Sequence, residues 1–144
     1  MSEAINPVGI FVPVLVIVAL TFVAFVRMAA ARAAAVRAGQ DPAYYRAHLG
    51  TPEPEATVAA VRHYGNLFEL PVLFYTGCLT AFVLGAVSGW TLLFAWGYVA
   101  GRVVQSLVHL TANNPAHRGL GFVVGMFFII ALWVNLALAI FARL

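Results

Sequence analysis

The chain has 144 residues, of which 63% are hydrophobic and 9% charged, with a formal net charge of +3. A soluble domain averages about 25% charged residues, so composition excludes a water-soluble globule and calls for an integral membrane protein of a single domain, residues 1–144. All eight basic residues are arginines dispersed along the chain, a pattern that argues against nucleic-acid binding and for basic loops facing anionic lipid.

The stretch from Val8 to Val26 carries no charge and opens a first span at about 8–31. Glu3 precedes it and no basic residue does, which is unlike a signal peptide, so this span is expected to be retained. Helical composition continues through MAAARAAAVRA until Gly39, a fitting C-terminal stop. DPAYYRAHLG then reads as a short surface helix, with Asp41 as cap, Pro42 in the first turn and Gly50 at the end.

TPEPE breaks the chain before a second span at about 57–86. Leu70 to Gly101 holds no charged residue and is too long for one span, and GAVSGW supplies the turn that splits it. A third span follows at about 89–112, NNPAH is the next break, and a fourth span runs at about 118–142. The expected fold is all-α: a four-helix transmembrane bundle. Arg27, Arg32, Arg37, Arg46 and Arg118 lie in or beside the first and third connections, and Arg143 stands alone on the other side. The positive-inside rule therefore places loops 32–56 and 112–118 in the cytoplasm and both termini on the opposite side.

The polar residues of the spans converge on one level. In VRHYGNLFELP, Arg62, Asn66 and Glu69 are spaced i, i+4, i+7 and share one helical stripe. Arg102, Gln105 and His109 make a matching stripe toward the cytoplasmic end of the third span, and Arg118 opens the fourth. Polar groups in lipid are costly and usually face protein, water or a ligand. Glu69 and Arg102 are expected to form a structural ion pair, and Asn66 and Gln105 suit interhelical hydrogen bonds. Pairing Glu69 with Arg102 leaves Arg62 and Arg118 without an acidic partner nearby in sequence, and an anionic ligand or lipid phosphate is their natural complement.

His109 reads either as a packing residue or as part of a site. His48, His63 and His117 fall in or near loops, and the histidines lack metal-ligand spacing, so no metal is expected. Cys78, in an apolar run, reads as an inert buried thiol. Tyr44, Tyr45, Trp90 and Trp96 read as interface anchors, and Pro71 as a kink below Glu69.

Arg62-x3-Asn66-x2-Glu69 followed by proline, within four spans, resembles the MAPEG family of membrane-associated proteins in eicosanoid and glutathione metabolism, which includes microsomal glutathione transferases. GRVVQSLVHLTANNPAHRGLGFVVG, Gly101 to Gly125, resembles the same family's third helix, loop and fourth-helix start. The resemblance covers nearly the whole chain. It implies a homotrimer with glutathione bound between subunits near the cytoplasmic face. By position, Arg62 would hold a carboxylate of the tripeptide, Asn66 its backbone and Glu69 the γ-glutamyl amine. Gln105 and His109 occupy further glutathione-contacting positions, and Arg118 matches the catalytic arginine that holds the thiol as thiolate, the nucleophilic form. The chain departs from the family's pattern at three places. Ala59 stands where many members have a second arginine, Glu69-Leu70-Pro71 is one residue tighter than usual, and His109 replaces a tyrosine.

The resemblance points to a glutathione-dependent transferase or peroxidase acting on a lipophilic small molecule. The alternative is a non-catalytic membrane protein, either a lipid-binding module or an accessory subunit of a larger complex. A transporter ranks third, because the chain is short and lacks an internal repeat.

Overall fold

In the computed structural model, residues 5–110 and 115–144 are described, the side chains of Leu110, Pro115, His117 and Arg118 excepted. Asn6 begins the first span: its side chain accepts from the Val8 N–H at 3.0 Å and starts a 3-10 turn, Pro7–Ile10. Helix α1, Phe11–Arg37, follows without a break and continues beyond the span toward Gly39. Gly39 stops it at φ +106°, a conformation that glycine adopts without strain. Asp41 accepts from the Ala43 N–H at 2.8 Å and leads into α2, Tyr44–Ala47. His48, at φ 54°, ends α2 two residues before the expected Gly50.

The second span is the main departure from expectation. It forms as two helices, α3 (Glu55–Asn66) and α4 (Leu70–Val83), and does not run unbroken from 57 to 86. Pro71 sits in the first turn of α4 and has no N–H with which to continue a ladder from α3. The chain instead tightens into two three-residue bonds, Leu67 N–H to Tyr64 O and Phe68 N–H to Gly65 O. After the turn at Gly85, Ser88 and Thr91 cap each other's backbone and start α5, Gly89–Leu110. Helix α6 spans Pro115–Phe141.

Among the described residues, four helical stretches are long and apolar enough to cross a bilayer: Pro7–Arg37, Glu55–Val83, Gly89–His109 and Gly119–Phe141. Helices α5 and α6 pack most extensively, and α1 lies against α3, α4 and α5. Lipid offers no hydrophobic drive between helices, so close backbone approach does the packing. A Cβ on Gly101 would lie 2.7 Å from the Gly125 nitrogen, and one on Gly121 would lie 2.8 Å from the Gln105 nitrogen. The core behind this seam holds Ile10, Ile17, Phe74, Cys78, Tyr98 and Leu132. Large side chains such as Phe22, Leu79, Phe127 and Leu138 point outward, as suits a surface solvated by hydrocarbon. The protein is an all-α, multi-pass membrane bundle.

Candidate functional site

Where α3 ends and α4 begins, the chain turns its polar side chains outward. Arg62, Gly65, Asn66, Glu69 and His109 line a cleft of about 340 Å³, within the range of small-molecule sites, about 300–1,000 Å³. Arg62 and Glu69 are exposed and Asn66 is partly so. Neither Arg62 nor Glu69 has a side-chain hydrogen bond or ion pair among the described residues. The cleft therefore offers a cation and an anion from one helix break, with an amide between them.

The expected Glu69–Arg102 ion pair does not form. Among the described residues the ion pair is Arg32–Glu53, at 3.2 Å. Arg102 is almost fully buried and is held differently: Nη2 donates to the backbone O of Asn66 at 2.5 Å and Nη1 to Gln105 Oε1 at 2.8 Å. The physical reason is the helix break. It leaves the Asn66 carbonyl without a backbone N–H, and an unpaired carbonyl in lipid is expensive, so the guanidinium caps it. Gln105, expected to contact a ligand, is buried and spent on Arg102.

His109 does line the cleft, and it is fixed from behind. Its Nε2 lies 2.9 Å from the backbone O of Ala59. The ring stacks on His63 at 4.8 Å between centroids, and His63 Nε2 lies 3.0 Å from Ser106 Oγ. His63 is buried in α3 against α5. It lies three residues before Asn66, a spacing that sets it beside the polar stripe, and Ser106 follows Arg102 by one turn. Those spacings were the available signals for both. Arg118 falls in the first turns of α6, and its side chain lies outside the described residues, as do residues 111–114 of the third connection.

On the cytoplasm-proximal side of the expected topology, α2 and the following loop are stapled to α1. Tyr45 covers the Arg32 guanidinium at 5.2 Å, and Gln40 Nε2 donates to Thr51 O at 2.9 Å. Removal from water, with the Glu53 carboxylate beside it, holds the Tyr45 phenol above its ordinary value of 10.0. No group of three or more His, Cys, Asp or Glu side chains suited to a metal occurs among the described residues.

The model of the MAPEG family matches residues 10–138, nearly the whole chain. The chain belongs to the MAPEG family. Searches of curated proteins and of solved structures returned no match. Family membership accounts for the four-span bundle. It does not extend to the activity, since one fold hosts many functions.

Proposed function

We propose that this MAPEG protein is a glutathione-dependent transferase or peroxidase acting on lipophilic substrates, and that it works as a homotrimer. The observation that carries this reading is the shared cleft of Arg62, Asn66, Glu69 and His109, with Arg62 and Glu69 both uncommitted. Glutathione is a peptide with carboxylates at its ends, an ammonium at one of them and a thiol in the middle. A guanidinium suits a carboxylate, a glutamate suits the ammonium, and the Asn66 amide suits a peptide group.

In this assignment Arg62 holds a carboxylate, Asn66 orients the peptide and Glu69 receives the amine. Arg118 stabilises the thiolate through its positive charge. Gln105 serves indirectly, by fixing Arg102 and through it the carbonyl of Asn66. Bilayer-facing apolar surface supplies the lipophilic partner. The site faces the cytoplasm, with loops 32–56 and 112–118 on that side and both termini opposite. Leu49, largely exposed, tests the orientation: Leu49→Cys should be labelled by an impermeant maleimide only from the cytoplasmic side.

The test of function is glutathione binding. Added to the detergent-solubilised protein, glutathione should raise the melting temperature with its concentration and show turnover with a lipophilic electrophile or hydroperoxide. Binding without turnover would favour a non-catalytic MAPEG protein. No binding would remove the glutathione reading and leave a lipid-binding module or accessory subunit.

A further inference from the structure

A groove follows α1 where the second span lies against it. Val18, Phe22 and Phe25 of α1 and Tyr64, Phe68 and Tyr75 of the second span line an open space of about 350 Å³. Phe22, Phe25 and Phe68 are exposed, so the groove opens sideways into the bilayer. Further along α1, Ala24, Arg27 and His63 line a smaller cavity of about 60 Å³.

The two spaces adjoin. Phe25 lies between Ala24 and Arg27 in sequence, and its ring meets that of Tyr64, the neighbour of His63, at 5.7 Å between centroids. A helix rises about 1.5 Å per residue, so Arg27 stands about 3 Å along α1 from Phe25 and about 14 Å from Val18. One end of the groove is therefore cationic and the rest of its length apolar. With loop 32–56 in the cytoplasm, as proposed above, that order matches a lipid of the cytoplasmic leaflet, headgroup first and chain deeper.

Arg27 is uncommitted. It is exposed within the first span and makes no hydrogen bond or ion pair among the described residues. No carboxylate among the described residues lines either space, and Glu53 is already engaged with Arg32. A cation in a span without a protein partner calls for an anion from outside the chain.

The groove is also separate from the cleft. Tyr64 follows Arg62 by two residues, about 200° around α3, so the aromatic and polar walls lie on opposite faces of that helix. Groove and cleft share no lining residue.

We propose that this groove binds one anionic membrane lipid, its acyl chain against Phe22, Phe25, Tyr64 and Phe68 and its headgroup oxygens on Arg27. A phospholipid phosphate and a fatty-acid carboxylate both present two oxygens to the guanidinium, and either meets the requirement. The small cavity admits headgroup oxygens or a water, and no second chain. The site stands whatever the cleft binds, because none of its residues has a part in glutathione recognition.

Native mass spectrometry of the delipidated, detergent-solubilised protein counts bound lipid directly. Dioleoyl phosphatidylglycerol, dioleoyl phosphatidylcholine and oleate are added in turn, so that the chains match and only the headgroup differs. Phosphatidylglycerol or oleate should bind once per chain, and whichever binds names the source of the anion. The anionic lipid should bind about fivefold more tightly than phosphatidylcholine, the effect of one arginine beside an anionic headgroup. Arg27→Gln should remove that preference, while Arg46→Gln, at another exposed arginine, should keep it. Val18→Trp, which fills the groove, should weaken binding whatever the headgroup; if it does not fold, Arg27→Gln decides. Equal binding of anionic and zwitterionic lipid by the unaltered protein, or a preference that Arg27→Gln retains, would overturn the proposal. So would a photoreactive phenylalanine analogue at Phe22 that cross-links a second copy of the chain, since the groove would then be a subunit interface.

Discussion

The Arg102 guanidinium, on α5, donates to the backbone oxygen of Asn66, the last residue of α3, at 2.5 Å. One contact thus closes a broken helix, satisfies a carbonyl in lipid and sets the level at which the polar cleft opens. A carbonyl and the Gln105 amide oxygen each accept from one of its two Nη groups, while its Nε is buried.

Stability of variants should follow that bond rather than charge pairing. Arg102→Met strands the Asn66 carbonyl and should cost about 2 kcal/mol, the scale of a hydrogen bond to a charged group. Glu69→Gln, at an exposed side chain, should stay within about 0.5 kcal/mol. Thermal unfolding in detergent compares the two. Equal losses would mean that Glu69 supports Arg102 after all.

The α5–α6 seam gives a second expectation. Gly121→Ala puts a methyl group 2.8 Å from backbone, which cannot yield as a side chain tip would, so the helices must move apart at a cost of about 1–3 kcal/mol. Gly119→Ala, with nothing within 4 Å of the added carbon, should be neutral or slightly stabilising. A neutral Gly121→Ala would show that the seam is looser than described.

Much of this architecture was legible because its signals are local. Gly39 stops α1 by its own backbone conformation, and Asp41 caps the next turn through a bond to a residue two positions on. Pro71 announced trouble in the second span for the same reason. Where the chain opens was not readable, because it depends on a guanidinium 36 residues away in sequence. Charge complementarity suggested Glu69 for Arg102, and a backbone carbonyl leaves no such mark. Arg62, Asn66, Glu69 and His109 were found together because helical spacing puts them on facing stripes. The role of His63, near the start of the second span, was not legible because its partners, Ser106 and His109, come from another helix. The spacings Gly97-x3-Gly101 and Gly121-x3-Gly125 were also present in the sequence, a small-residue pattern typical of close helix pairs.

The loop staple should loosen in alkali. Tyr45 has its folded-state value raised above the ordinary 10.0, so its contribution is full below that pH and is lost as pH rises toward the folded value. Protease cleavage within residues 40–54, relative to an unfolded control at the same pH, should therefore accelerate above about pH 10, and Tyr45→Phe should reduce that acceleration. An unchanged pH profile in Tyr45→Phe would assign the loosening to another group.

The cleft's claim to be a glutathione site is tested most directly by one binding isotherm, measured for the detergent-solubilised protein and for Arg62→Ala. The unaltered protein should bind glutathione saturably, and Arg62→Ala should bind at least about tenfold more weakly, a loss of about 1.4 kcal/mol, while keeping its melting temperature without ligand. Saturable binding that Arg62→Ala leaves unchanged would place the ligand elsewhere on the molecule. Absence of binding to the unaltered protein would contradict the account at its centre.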